Sequence, residues 1–483
     1  MRAACNVGAN DVEQTLGTAA RPLRVAIIGA GPAAFYAVEA LFKQPNLVCQ
    51  VDMFNRFPTP YGLVREGVAP DHESIKAVTR VYDKTATNPA FRYFGNVTFG
   101  KDVHLDELLP LYDQIVYAVG AQSDRRMGIP GEDLEGSYPA TIFVGWYNGH
   151  PDYRDLEFDL SCEKVAVVGN GNVAMDVARI LVTDPEALAT TDIADHALEA
   201  LRQSKVKEVY LLGRRGPAQA SFTNPELKEF GELEGVDVVV DPRDLELDPA
   251  SEESLLTDKN ATRNINVLRR YIEEGAEGYK QPRKVYFKFL TSPVEVLGDG
   301  DKVTGLKIER NKLEVQGDGT LRAKGTGEIE TLDVGLIFRS VGYRGMALNG
   351  VEFDEKTGTI PNVAGRVINL ATGEQQTGQY VVGWAKRGPS GIIGTNKPDS
   401  LSTVQSMVGD LPDLKGIEDS KRDLGLIEDL LKEKGLDYVT YQDWLVLNEY
   451  EVSRGKAQNR PRVKCTRVGE MLDIIKQGAA AQA

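Results

Sequence analysis

Residues 23–34 read LRVAIIGAGPAA, and this stretch decides the fold. LRVAII is a short β-branched run suited to a parallel strand buried on both faces. Gly29-Ala30-Gly31-Pro32-Ala33-Ala34 follows, and then the apolar helical pattern AFYAVEALFK. Each small residue has a physical reason. Gly29 permits the tight turn out of the strand, Gly31 lets the backbone approach a pyrophosphate, and Ala34 lets the helix pack closely on the strand. The helix start then offers free N–H groups and a positive dipole end to phosphates. CQVDMF (49–54) supplies the next strand, and the ordered series of strand, glycines, helix and strand reads as a dinucleotide site. An acidic residue for the ribose hydroxyls usually ends that second strand. Here Asn55 and Arg56 stand there, and Asn55 can bond a hydroxyl only without charge assistance.

The pattern recurs downstream. KVAVVG is followed by Gly169-Asn170-Gly171-Asn172-Val173-Ala174 and the helix pattern VAMDVARILV. EVYLLG (208–213) closes this unit and ends in Arg214-Arg215-Gly216 with no acid. Two guanidinium groups at the ribose position point to a 2′-phosphate, hence NADP rather than NAD. Two charge-assisted contacts of ~1.5–3 kcal/mol each would favour the phosphorylated nucleotide by roughly 10²–10⁴-fold. Between these strands, 183–207 alternates turn residues with amphipathic helix and reads as decoration of the second unit, with His196 on its surface. Two dinucleotide sites in one chain suggest a resident FAD and an exchanging NADPH, with hydride passing between them.

At 483 residues the chain is too long for one core and suggests about three domain-sized units. Its 42% hydrophobic and 26% charged residues exclude wholesale disorder. With 56 basic against 71 acidic residues the net charge is −15, which disfavours a nucleic-acid partner. The four cysteines, Cys5, Cys49, Cys162 and Cys465, are scattered without a C-x-x-C pair. That spacing argues against structural zinc, a cysteine-held cluster and a local dithiol, so the electron acceptor must come from outside; no metal site is expected. A reducing compartment fits best. No apolar run approaches the ~20 residues that span a bilayer, and residues 1–20 read as a flexible extension rather than a secretory signal, so a cytoplasmic location is expected.

The motifs outside the glycine loops are more specific. Thr59-Pro60-Tyr61-Gly62-Leu63-Val64-Arg65, then Gly67-Val68-Ala69-Pro70-Asp71-His72, with GRRGPAQASFTNPEL, FRSVGYRG, VVGWAKRGPSGIIGTNKPDS and SRGKAQNRPRVK, resemble the adrenodoxin-reductase family. Within it they are most similar to the bacterial NADPH–ferredoxin reductases. The resemblance spans about 22 to 475. It implies an α/β fold of glutathione-reductase-like type with two Rossmann-type dinucleotide-binding domains. An FAD domain over 21–121 and 350–483 would carry the C-terminal extension, and an NADP domain over 122–349 would be inserted in it. It implies hydride transfer from NADPH to FAD and single electrons onward to a ferredoxin-type iron–sulfur protein. A quinone or small-molecule reductase, the electron-feeding part of a larger complex and a nucleotide sensor are the alternatives.

The same resemblance assigns residues. His72 and Glu226 would flank the flavin and the docked nicotinamide, positioning the ring and tuning charge, because hydride transfer needs no general acid. FAD would be held by Gly29, Gly31, Ala34, Asn55, Leu63, Phe99, Trp384, Gly391, Ile392 and Ile393. NADP would be held by Arg125, Asn170, Gly171, Asn172, Val173, Arg214, Arg215, Glu226 and Gly391. Trp384 stands where related flavoproteins carry Asp, and its flat ring can cover the isoalloxazine edge. A glycine at 391 would let the two rings approach closely. An acidic ferredoxin docking on an acidic protein needs a local basic patch, for which Arg263, Arg269, Arg270, Arg283 and Lys284 are the expected residues. A helical rhythm is also expected at 412–431.

Overall fold

In the computed structural model, which describes residues 15–482, LRVAII forms the strand Leu23–Ile28, buried along its whole length. It pairs in parallel with Cys49–Phe54 on one side and Gln114–Tyr117 on the other. Phe91–Phe94 and Gln375–Val381 extend the parallel set, and the antiparallel strands Arg366–Ile368 and Asn362–Val363 finish one edge. Side chains alternate across the pleat. Val25 and Ile27 face the core shared with helix Pro32–Phe42, whereas Ala26 and Ile28 face a second core with Phe54, Phe94 and Tyr117. Burial on both faces explains the unbroken apolar run, since each Val or Ile taken out of water contributes about 1.5–3 kcal/mol.

Lys164–Val168 has the same role in a second sheet. That sheet is parallel throughout, in the order Ser137–Pro139, Leu336–Arg339, Lys164–Val168, Glu208–Leu212, Arg283–Lys288, Val236–Val240. Val165 and Val167 face one core and Ala166 and Val168 the other, which is roofed by an antiparallel meander of Thr291–Asp299, Lys302–Val315 and Leu321–Leu332. All strands of this sheet come from between 137 and 339, inside the chain of the first. The two crossings meet as an antiparallel pair, Ser123–Asp124 with Tyr343–Arg344.

Several expectations change. Residues 1–14 of the expected N-terminal extension lie outside the described residues. From Thr15 the chain packs, with Leu16 buried and Gly17 bonded to Arg21 and Val48. The rhythm at 412–431 is α-helical only at its end, Gly425–Glu433; before it stand only the short 3₁₀ turns Leu411–Asp413 and Asp419–Lys421, separated by Gly416 at φ +71°. His196 is half-buried rather than a surface residue. Its Nε2 lies 3.0 Å from the Trp146 carbonyl oxygen, and burial pushes its pKa down to about 4. No helix among the described residues is long and apolar enough to cross a membrane.

The C-terminal extension clamps the two units together. Arg65, beside the first dinucleotide loop, makes a buried bidentate pair with Glu451 of helix Tyr441–Lys456 at 2.8 and 2.5 Å. The following segment crosses to the second unit. Lys464 Nζ lies 3.1 Å from Asp192 and donates to the Arg65 carbonyl and Asn148 Oδ1. Arg460 donates to the Thr191 carbonyl at 2.9 Å and pairs with Asp195 at 2.6 Å.

Candidate active site

The two glycine loops are built alike. Gly29 has φ +105°, and a Cβ there would stand 2.5 Å from the Ala118 carbonyl oxygen at the end of the neighbouring strand. Gly169 has φ +152° and would meet the Ser340 carbonyl in the same way. Each loop is thus pressed onto its neighbour where only glycine fits. Two residues on, Gly31 and Gly171 cap the helices Pro32–Phe42 and Asn172–Val182 in extended conformation. A Cβ on Gly31 would meet no atom within 4 Å, and one on Gly171 would only graze Ser221 at 4.0 Å. Both helix starts therefore face open space wide enough for an approaching phosphate.

Around the first loop, Tyr61 N–H donates to the Ala30 carbonyl at 2.8 Å, and Gly62, at φ +50°, lies against Gly31. Tyr61 itself holds φ +86°, an uncommon conformation for an aromatic residue, and its ring is fixed by Asp83, Tyr441 and Trp444. Leu63 follows, 39% exposed, and Ile392 is 63% exposed, so two apolar side chains of the expected flavin site stand uncovered. Ala34 is fully buried. Phe99 packs edge-on against Tyr117. Asn55 is engaged differently from expectation: its Nδ2 donates to the Phe57 and Thr59 carbonyls at 3.1 and 3.0 Å, which leaves Oδ1 for a hydroxyl. Gly383 has φ +70°, and a Cβ there would stand 2.6 Å from Ala33 Cβ, which brings Trp384 to the rim of this loop. The Trp384 ring lies 5.3 Å from that of Tyr343, a residue of the second crossing that the sequence reading passed over.

Gly391 needs a different reason from the expected one. It has φ +80°, and a Cβ would meet Thr395 Oγ1 at 2.6 Å. The glycine is therefore required by its own backbone and by Thr395 before any ring approaches. Ile393 begins the short turn Ile393–Thr395 and packs against the core behind the first loop.

At the second loop, Asn172 Oδ1 accepts from Thr223 N–H at 2.9 Å, Asn170 accepts from Ser221 N–H through its carbonyl, and Val173 packs on the core. Arg214 is exposed and Arg215 half-buried, and among the described residues neither guanidinium has a carboxylate partner. Burial and the charge of Arg214 hold the Arg215 pKa below its usual value. Two neighbouring cations without counter-charge form an anion site. Arg125 is exposed on the first crossing, its N–H bonded to the Gly342 carbonyl.

A charged cluster joins the two units. His72, at the start of helix Glu73–Lys76, has Nε2 2.9 Å from Glu229 Oε2 and 3.8 Å from Glu226 Oε2. The expected pair is therefore a trio in which Glu229, one helical turn beyond Glu226, is the nearer partner. Burial opposes a charge on His72, but the Glu229 bond and the carboxylates of Asp176 and Glu226 outweigh it and raise its pKa. Burial, with Asp176 close by, pushes the Glu226 carboxyl up to about 7. The Arg179 guanidinium, 2% exposed, sits among them, 3.2 Å from Glu226 and 3.1 Å from Glu229. His72, Glu226 and Glu229 lie close enough together to ligate a metal ion, and Arg179 already sets a cation against both glutamates. Arg179, Asp176 and Glu229 were missed. The signal was present: Asp176 and Arg179 are the only charged residues in the apolar helix NVAMDVARILV, and charges buried with an apolar face have a function or a partner.

Of the expected docking residues, Arg263 and Arg269 are exposed, without a carboxylate partner among the described residues. Arg270 lies 3.5 Å from Glu274, and with Arg263, Asn224 and Lys228 it lines a shallow basic groove. Arg283 does not join them. Its guanidinium donates to the Val182 carbonyl at a helix end, and Lys284 is half-buried in the sheet beside it.

A chain with two dinucleotide-type loops and a charged cluster joining its two units matches known proteins closely. The profile of pyridine nucleotide-disulphide oxidoreductases matches residues 23–240. The NADPH-ferredoxin reductase FprA of Mycobacterium tuberculosis (strain ATCC 25618 / H37Rv) is 48% identical over 463 residues, which cover 94% of this chain and 99% of that relative. The chain belongs to the adrenodoxin-reductase family. Its plant member, the mitochondrial NADPH:adrenodoxin oxidoreductase of Arabidopsis thaliana, is 40% identical, with 92% of this chain and 93% of the relative covered. A solved structure of M. tuberculosis FprA in complex with NADPH superposes with a TM-score of 0.88 at 46% identity, covering 94% of this chain and all of that one. Family membership agrees with two Rossmann-type units, the second inserted in the first.

Proposed function

We propose that the protein is an FAD-dependent NADPH–ferredoxin reductase of the cytoplasm. The observation that carries this reading is the bond between His72, on the chain of the first unit, and Glu229, on helix Asn224–Glu229 of the second unit. It joins the two units at the residues that the family resemblance sets beside the flavin and the nicotinamide. FAD belongs to the first loop, with 21–121 and 350–483 as its domain, and NADP to the inserted 122–349. The first loop fits FAD through the open space at Gly31 and the uncovered apolar side chains of Leu63 and Ile392. The second fits NADP through the unpaired Arg214 and Arg215.

Bound FAD supplies the conversion between a two-electron donor and a one-electron acceptor. The chain's own residues bind and orient. Gly29 and Gly31 seat the first pyrophosphate at a helix start, Trp384 and Tyr343 wall the site, and Asn170 to Val173 with Arg214 and Arg215 seat the second nucleotide. Arg125 lies on the crossing between them. His72, Glu226 and Glu229 hold charge beside the reacting rings and exclude water from the gap. Arg263 and Arg270, with Lys228, line the basic groove offered to an acidic iron–sulfur partner, and the exposed Arg269 lies on the same helix.

The test is anaerobic reduction by NADPH of a ferredoxin, read through a haem protein coupled to it. Turnover of the ferredoxin is expected. A protein that reduces ferricyanide or a quinone but never a ferredoxin is instead a small-molecule reductase.

A further inference from the structure

Arg179 touches more of the candidate site than any residue assigned to it. Its Nε and Nη2 make a bidentate pair with Asp71 at 2.7 and 3.0 Å. Nη2 also reaches Asp176 at 2.8 Å, and Nη1 reaches Glu226 and Glu229 at 3.2 and 3.1 Å. These carboxylates come from three segments: the loop before His72, Arg179's own helix, and helix Asn224–Glu229. Four carboxylates around one guanidinium and one imidazole leave an excess of negative charge in a buried place. Tyr147, from the helix Ala140–Asn148 packed against this one, is fully buried with a hydroxyl that has no partner among the described residues, and Asp176 and Tyr343 lie within electrostatic reach of it.

We propose that Arg179 is a positioning residue of the hydride-transfer site: by binding Asp71 of one unit and Glu226 and Glu229 of the other, it fixes where His72 stands between the two nucleotides. This rests on the functional reading above. A single planar fork is the only side chain that can serve Asp71 bidentately while reaching three further carboxylates, so lysine cannot replace it. Charge and position are coupled here. Arg179 repels a proton on His72 and Asp71 attracts one, so removing either moves the imidazole titration in opposite directions.

The chain has four histidines, so imidazole-labelled protein gives four NMR signals, and a His72→Gln variant identifies the one from His72. Titrating the FAD-loaded protein, Arg179→Gln should raise the His72 pKa and Asp71→Asn should lower it. The pH profile of anaerobic flavin bleaching by NADPH should move the same way in each variant. Arg179→Lys should keep the charge but not the profile. If Arg179→Gln fails to fold, Asp71→Asn still reads the coupling. An unmoved His72 titration in Asp71→Asn, or a moved titration with an unmoved bleaching profile, overturns the proposal. Wild-type protein that NADPH bleaches at no pH refutes the functional reading instead, and the imidazole titration still decides the role of Arg179.

Discussion

Replacing Arg214 and Arg215 together by alanine isolates nucleotide choice from everything else. The two guanidinium groups end the strand Glu208–Leu212, one exposed and one half-buried. A charge-assisted contact from the half-buried Arg215 to a phosphate contributes about 1.5–3 kcal/mol. The exposed Arg214 is screened by water and contributes about 0.5–1 kcal/mol. Together they give about 2–4 kcal/mol, or a preference for NADPH over NADH of roughly 30- to 1000-fold. This range sits lower than the roughly 10²–10⁴-fold expected when both contacts count in full, and the difference is the exposure of Arg214. The double variant should lose that factor in kcat/KM for NADPH while NADH is nearly unaffected, and Arg215→Ala alone should account for most of it. The assay is anaerobic flavin reduction with each nucleotide. A ratio that changes less than about threefold, or equal losses with NADPH and NADH, would refute the 2′-phosphate assignment.

His72→Ala should slow flavin reduction by NADPH while FAD stays bound, and unchanged stopped-flow kinetics would remove His72 from the site. Glu451→Gln leaves Arg65 buried without its bidentate partner and should cost about 3 kcal/mol in denaturant unfolding. The Arg65 pairing lowers the Glu451 pKa against burial, so this stabilisation is fully present above the ordinary glutamate value of about 4.3 and is lost as pH falls through the lower folded value. A gap between wild type and variant that widens below that pH would contradict the pairing. Gly391→Ala should lose about 1–3 kcal/mol through its backbone and Thr395, with partial recovery in a Thr395→Ser background, and an unaltered melting temperature would sink that explanation. Charge reversal at Arg263 and Arg269 should slow ferredoxin reduction several-fold at low ionic strength, the difference shrinking as salt rises. A rate flat across ionic strength counts against electrostatic docking.

The loops were legible because their requirements are local. Gly29 and Gly169 are dictated by a turn a few residues long, and the β-branched runs beside them by burial on two faces. Arg214-Arg215 was legible for the same reason, as a strand end without an acid. What the sequence hid depends on contacts between distant segments. Asp71, Asp176 and Glu229 acquire meaning only when Arg179 gathers them across 158 positions of chain from Asp71 to Glu229. Lys464 reads as one more cation in a basic run, and only the fold sets it against Asp192. Arg283 looked like its neighbours Arg269 and Arg270 because sequence does not say which arginine will spend its guanidinium on a helix-end carbonyl. Asn55 stands at the expected position, yet the loop carbonyls of Phe57 and Thr59 claim its amide. The expected rhythm at 412–431 came from apolar spacing, which Gly416 at φ +71° interrupts.

The most direct measurement is an anaerobic titration of the purified yellow protein with NADPH, followed by its visible absorbance. One equivalent of NADPH should bleach one tightly held FAD, and an added ferredoxin should restore the colour as it becomes reduced. A folded, colourless preparation that cannot take up FAD, or a yellow one that NADPH leaves unbleached, would contradict the pairing of the two sites.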